Sequence, residues 1–367
     1  MDTMSTNVSG SGQGDVAAPA AIVMNNVWKV FGPRAPEAMA SILRDRLDKE
    51  EVTRRFGCVV GVADVSISVA PGEIFCVMGL SGSGKSTLIR HINRLLEPSA
   101  GEILVDGENI MTKTAAELRT LRSRKVSMVF QSFGLLPHRT VRDNVALPLE
   151  IQAASKQQRF DVAEAALAKV NLSGWGDRYC HELSGGMQQR VGLARALAAD
   201  SAILLMDEPF SALDPLIRRQ LQDEFLTLSR SMGKTVVFIT HDLDEAIRIG
   251  DRIAIMKDGV IIQIDTPEDI VTAPRHDYVA KFVADISRLK VITAGRIMEP
   301  VGSFAARHPQ ADLTSLRQVG SQQPLGELVE LAAQDEAPLA VTDGGGTVVG
   351  IVDRQLLLEG LRKGGQS

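Results

Sequence analysis

The sequence predicts an α/β protein with a smaller α+β unit at its C-terminal end, and three observations carry that reading. Residues 74–78, 202–206, 236–239 and 253–256 are apolar without alternation, as strands buried on both faces of a largely parallel sheet are. Amphipathic helical stretches separate them. A glycine-rich turn lies between the first of these runs and the helical residues 88–96.

The elements follow in chain order. The first 20 residues are rich in Ser, Gly and Ala, lack Lys and Arg, and carry Asp2 and Asp15. They are expected to be a disordered tail rather than a secretory signal. Residues 35–56 are charged and helical, with Met39, Leu43 and Leu47 on one stripe and Gly57 as the stop. This segment interrupts the first strand region as an insertion over 35–57, to be either a solvated surface helix or a docking element. Thr114-Ala-Ala-Glu117 forms a capping box ahead of Leu118 and Leu121. Asp214-Pro215 supplies an N-cap and a first-turn proline to a helix bearing Ile217, Leu221, Phe225 and Leu228, which stops at Gly233. Beyond a helical connector the chain reads helix, strand, strand, helix at 325–333, 338–341, 348–352 and 356–361. The Gly344-Gly-Gly346 tract makes the hairpin turn.

Composition narrows the function. The 367 residues, 44% hydrophobic and 23% charged, allow two or three globular modules. A net charge of −5 gives no basic footprint for nucleic acid. Aromatics at 4% argue against a stacking platform for single strands or sugars. The cysteines Cys58, Cys76 and Cys180 are far apart, which excludes a disulfide framework or zinc site and suits a reducing compartment. The longest uncharged stretches, 16–28 and 126–138, contain Asn, Pro, Gln or Ser, so no transmembrane helix is expected.

Residues 79–86, Gly79-Leu-Ser-Gly-Ser-Gly-Lys85-Ser86, match G-x-x-x-x-G-K-[ST] in the strand–turn–helix context that the motif requires. Glycines let backbone N–H groups converge on phosphate oxygens, and the following helix start adds positive potential. Gly79, Leu80, Ser81, Gly82, Ser83, Gly84, Lys85, Ser86 and Thr87 are the expected cradle for ATP. Lys85 would be the cation on the β- and γ-phosphates, and Ser86 a hydroxyl ligand for Mg²⁺. Asp207 and Glu208 close another apolar run. Carboxylates at a strand's end suit metal and water chemistry, with Asp207 holding Mg²⁺ through water and Glu208 orienting and deprotonating the attacking water. Ser184, Gly185 and Gly186 open a second helix suited to anion binding, about 100 residues after the first.

Leu183-Ser-Gly-Gly-Met187 resembles the ABC ATPase signature LSGGQ, with Met187 in the place of Gln. The resemblance covers residues 21–285 and implies a P-loop ABC ATPase core of mixed sheet and helices, with a helical lobe over about 132–200. It implies a Q-loop role for Gln131, toward Mg²⁺ and water, and a D-loop role for residues 211–214 ending at Asp214. His241 would be the switch residue on the γ-phosphate. Phe31 would stack on adenine, or else be an ordinary core phenylalanine. It also implies a head-to-tail homodimer with ATP between the cradle of one subunit and Ser184, Gly185 and Gly186 of the other.

Residues 57–66, 131–138, 211–218 and 241–252 together resemble the ATPase subunit of glycine betaine, proline betaine and choline importers. That resemblance implies a peripheral subunit on the cytoplasmic face of the inner membrane. It would power a permease fed by an extracytoplasmic binding protein, with uptake of a quaternary ammonium compatible solute for osmoprotection. Phe133, Leu135 and Leu136 are candidates for the permease groove, unless they are buried within the chain. Competing readings are an importer of an amino acid such as proline or histidine, and a soluble ABC ATPase without a transport role. The single core and the absence of heptads disfavour the latter.

Residues 296–367, after a linker over 286–295, resemble a single CBS repeat. Gly350-Ile-Val-Asp353-Arg-Gln-Leu356 departs from the Gly-x-x-Ser/Thr-x-x-Asp ribose contact of such repeats. Dimerisation or spacing, and regulation by ionic strength or a nucleotide, both stay open for this module.

Overall fold

The computed structural model describes residues 19–362 except 133, 212, 310–312, 314 and 336. All but Pro19 and Ala20 of the expected tail, and the groove candidate Phe133, lie outside the described residues. The chain begins β1 (Ile22–Phe31), α1 (Ala35–Asp45), α2 (Lys49–Phe56), β2 (Val59–Val69), β3 (Ile74–Met78), α3 (Lys85–Ile92), β4 (Ala100–Val105), β5 (Glu108–Asn109), α4 (Ala115–Arg124) and β6 (Val126–Val129). It continues with α5 (Val141–Ile151), α6 (Lys156–Lys169), α7 (Gly185–Ala198), β7 (Ile203–Asp207), α8 (Pro215–Ser231), β8 (Thr235–Thr240), α9 (Leu243–Ile249), β9 (Arg252–Lys257) and β10 (Val260–Asp265). Then come α10 (Pro267–Thr272), α11 (Asp277–Val283), α12 (Arg288–Val291), α13 (Ala294–Ile297), β11 (Glu299–Pro300), α14 (Val301–Arg307), β12 (Gln318–Gly320), α15 (Leu325–Gln334), β13 (Leu339–Thr342), β14 (Val348–Val352) and α16 (Arg354–Arg362).

The four unalternated runs become β3, β7, β8 and β9, side by side in a six-stranded sheet of order β10-β9-β3-β8-β7-β6. Every pairing in it is parallel except that of β10 with β9 at the edge. Alternate residues serve opposite faces. Ile74, Cys76 and Met78 join the core that packs under α5 to α9. Phe75 and Val77 join the core shared with α3, α4 and a second sheet of order β2-β1-β4-β5. That second sheet is antiparallel. Burial on both faces explains why the central strands show no polar alternation.

Local signals set the helix ends. Thr114 and Glu117 exchange the reciprocal bonds of a capping box at α4. Gly233 follows α8 with φ 59°. The helix opened by Lys85 stops at Ile92, short of residue 96, where Arg122 Nε and Nη2 bond the carbonyls of Asn93 and Arg94 at 2.8 and 2.6 Å.

The insertion departs from its expected single helix. The chain breaks at Arg46, φ 52°, and restarts at Asp48, whose carboxylate accepts the Glu51 N–H at 2.8 Å. Leu43, assigned to the apolar stripe, is 63% exposed. The break lets Ala38, Met39 and Ile42 of α1 and Val52 of α2 pack together on Val30, Cys58 and Val60.

The last module is a four-stranded sheet of order β11-β14-β13-β12 with its own core, including Leu325, Leu328, Val341 and Val352. Ile292 and Ala294, from the segment assigned to the linker, are buried in that same core. The Asp343 carboxylate accepts from the N–H groups of Gly345 and Thr347, which closes the hairpin. Asp353 accepts the Leu356 N–H at 2.9 Å and so starts α16, while a Cβ on Gly350 would lie 2.5 Å from Met298 Sδ. Gly350, which keeps the motif, and Asp353, which departs from it, therefore both hold local structure. The module is tied to the core through α10, by Thr293 N–H to Glu268 at 2.8 Å and Arg296 to Asp269 at 2.7 Å.

Candidate nucleotide-binding site

Three parallel strands end on one edge of the large sheet. The cradle follows β3, Asp207 ends β7, and His241 follows β8. Gly84 has φ 103°, and a Cβ there would lie 2.3 Å from the carbonyl oxygen of Gly61, so only glycine fits. This packing aims the start of α3 outward. The Lys85 ammonium is folded back onto the carbonyls of Gly79 and Leu80 at 2.8 and 3.0 Å, with Glu208 Oε1 at 3.8 Å. Burial lowers its pKa, and the carboxylates of Glu208 and Asp207 act in the opposite direction.

Ser86 donates its hydroxyl to Asp207 Oδ1 at 2.7 Å, and Arg90 holds the other oxygen of that carboxylate at 3.1 Å. Two hard oxygen donors side by side fit a magnesium ion that takes its remaining ligands from phosphates and water. Glu208 adopts φ 46°, a costly conformation for a side chain with a Cβ. It is held there by its N–H on the Ile239 carbonyl at 3.1 Å. This backbone presents the carboxylate between Lys85 and His241, whose Nδ1 lies 3.0 Å from Glu208 Oε2. Ser83 Oγ is buried with no hydrogen-bond partner. Such an orphaned donor in the cradle fits a phosphate oxygen. Leu80, Ser81 and Gly82 are exposed at the tip of the turn, and Thr87 is half-buried.

The structure thus brings together Lys85, Ser86, Asp207, Glu208 and His241. Phe31 stands at the end of β1, 39% exposed, with the Lys29 ammonium 5.2 Å from its ring centre. It is not a core phenylalanine. Its ring packs on Gly61, where a Cβ would come within 2.6 Å. Other predicted residues stand apart. Gln131 is exposed just beyond β6, and Asp214 is exposed at the start of α8 without a capping bond from its side chain. Ser184 caps its own helix by accepting the Met187 N–H. Among the described residues, no hydrogen bond links Ser184, Gly185 or Gly186 to the cradle. Leu135 and Leu136 are half-buried, in a loop that Asn144 clamps through the N–H and the carbonyl of Leu136 at 2.7 and 3.0 Å.

Sequence reasoning missed Arg90. Its place one helical turn after Ser86 was the available signal, since residues four apart share a helix face. It also missed the β9–β10 turn, whose Gly259 N–H bonds the Ser83 carbonyl at 2.8 Å. No local pattern announces that contact across more than 170 residues.

Comparison with known proteins gives the family. Residues 62–211 match the ABC transporter family. The glycine betaine transport ATP-binding protein OpuAA of Bacillus subtilis is 50% identical over 82% of this chain and 72% of its own length. The trimethylamine N-oxide transport ATP-binding protein TmoW of Ruegeria pomeroyi is 47% identical over 93% of this chain and 97% of its own. The chain is an ABC transporter ATP-binding subunit.

The fold of this ABC subunit agrees. It is similar to the ATP-binding cassette MJ0796, solved as a dimer in a post-hydrolysis state bound to ADP and Pi. The TM-score is 0.57 and the identity 32%, over 67% of this chain and 98% of that one. Among the described residues of the ABC subunit, no helix is long and apolar enough to cross a membrane.

Proposed function

We propose that this subunit hydrolyses ATP between two copies of itself to drive import of a solute bearing a methylated, cationic nitrogen through a partner permease. Glycine betaine, proline betaine or choline is the leading cargo. The observation that carries the chemistry is the placement of the Glu208 carboxylate between Lys85 and His241. The cargo rests on likeness to transport proteins named for glycine betaine and choline. A permease and an extracytoplasmic binding protein complete the assembly, with the subunit on the cytoplasmic face of the membrane.

In the reaction, the N–H groups of the cradle and Lys85 bind the triphosphate, while Ser184, Gly185 and Gly186 of the second copy cover the γ-phosphate. Ser86 and Asp207 would hold the magnesium ion, Gln131 would approach it from its exposed place beyond β6, and the ion would supply charge neutralisation at the β- and γ-phosphates. Glu208 accepts a proton from water. The water oxygen bonds to the γ-phosphorus, the bond to the bridging oxygen breaks, and ADP and phosphate form. His241 holds Glu208 and reaches the γ-phosphate. Loss of that phosphate removes the contacts that bridge the two copies and opens the dimer. Phe31 stacks on the base, and Leu135 and Leu136 face the permease.

Trimethylamine N-oxide is a second cargo, favoured by full-length likeness to proteins named for its transport. Uptake of labelled glycine betaine by the reconstituted transporter, with trimethylamine N-oxide, choline and proline as competitors, decides between cargoes. Uptake of labelled proline with none of labelled glycine betaine, trimethylamine N-oxide or choline would overturn the methylated-nitrogen class. Glu208→Gln is expected to lower hydrolysis and uptake by about a thousandfold and to trap an ATP-bound dimer. Unchanged hydrolysis would remove Glu208 as the base.

A further inference from the structure

The insertion between β1 and β2 brings a lysine to the rim of the cradle. Gly259, in the β9–β10 turn, donates its N–H to Ser83 and accepts the Ala63 N–H, both at 2.8 Å, so the turn is stitched to the cradle and to β2. A Cβ on Gly259 would lie 2.8 Å from the Gly61 oxygen and 3.2 Å from Lys49 Nζ. A Cβ on Gly84 would lie 3.4 Å from Gly259 Cα, and one on Gly61 would strike the Phe31 ring. Phe31, Gly61, Gly84, Gly259 and the Lys49 ammonium therefore pack as one continuous cluster. It runs from the exposed aromatic ring to the helix start that faces the phosphates.

Lys49 opens α2, where Asp48 caps the helix and leaves the lysine side chain to reach across the turn. The side chain is half-buried, and among the described residues its nitrogen has no hydrogen-bond acceptor and no carboxylate within ion-pair distance. Burial lowers its pKa, with Asp258 acting against that from further away. A cation partly withdrawn from water without a partner is costly, and a phosphate oxygen offsets that cost.

We propose that Lys49 is a nucleotide-binding residue, its ammonium contacting the α-phosphate between the base on Phe31 and the outer phosphates at Lys85. This gives the insertion a share in the ATP site, and it rests on reading the cradle as that site. The binding energy of the pair exceeds that of an open surface pair, because burial removes part of the solvent screening.

Equilibrium titration of the purified subunit with ATP, ADP, AMP and adenosine tests the proposal. Lys49→Met is expected to weaken ATP, ADP and AMP by about tenfold each. Adenosine, which lacks the phosphate, should bind as before, and Lys49→Arg should restore most of the affinity. If Lys49→Met binds all four ligands as the unaltered chain does, the proposal fails. The same holds if the variant only lowers the melting temperature, since that assigns Lys49 to holding the turn. Lys85→Ala is the control for the underlying reading. Loss of ATP binding there with none in Lys49→Met rejects only the role of Lys49. Normal binding in Lys85→Ala rejects the cradle itself.

Discussion

The two glycine-led helix starts differ in how completely this chain builds them. At α3 the glycine is locked, with φ 103° and the Gly61 carbonyl where a Cβ would be. The residues that follow are tied to β7 by the Ser86–Asp207 bond and the Arg90–Asp207 pair. At α7 the start carries its own Ser184 cap, and a Cβ on Gly186 would lie 3.1 Å from Ile217 Cγ2 of α8. A Cβ on Gly185 would meet nothing within 4 Å. One helix start is finished by the chain's own strands, and the other is left open toward whatever lies outside it. Both present a helix dipole and first-turn N–H groups. The difference is in their surroundings, and it suits a site completed by a second copy.

Two substitutions sharpen that contrast. Gly84→Ala puts a methyl into a carbonyl oxygen at a backbone angle that L residues avoid. It should lower ATP affinity of the isolated subunit by about a hundredfold, measured by titration. Retained affinity would show that the cradle tolerates a shifted helix start. Gly185→Ala meets open space and leaves the helix geometry alone. The isolated subunit should melt at the same or a slightly higher temperature and bind ATP as before, while hydrolysis by the assembled pair falls about tenfold or more. Normal hydrolysis in Gly185→Ala would mean that α7 does not cover the nucleotide of a second copy.

The same contrast explains what the sequence revealed. The cradle residues, Asp207 and Glu208 were legible because strand, turn and helix are contiguous around them and each residue type has a local job. The four central strands were legible because burial on both faces leaves an unbroken apolar run. The antiparallel sheet was not, because β1 pairs with β2 and β4 across 28 to 83 residues, with register shifts that blur the alternation. The break at Arg46 was hidden because its cause is tertiary: Met39, Ile42 and Val52 must meet one small patch on β1 and β2. Arg90 and Gly259 act through contacts with distant segments. In the last module the hairpin and helices were readable, but β12 and β11, of three and two residues, are too short to show a period.

The smallest expected effect separates the two jobs of Ser184. Its hydroxyl accepts the Met187 N–H at 3.4 Å, a long capping bond. Ser184→Ala should therefore destabilise the isolated subunit by about 0.5–1 kcal/mol, toward the lower end for a lost cap, as read by urea unfolding. Ser184→Gly should cost only a few tenths, because glycine is itself tolerated at that position. If the hydroxyl also reaches a phosphate across the dimer, both variants should lose hydrolysis equally, although their stabilities differ. If hydrolysis instead follows stability, with Ser184→Gly close to the unaltered protein, the serine is a cap alone. The anion would then be held by the backbone N–H groups at the start of α7, as the comparison of the two helix starts already requires.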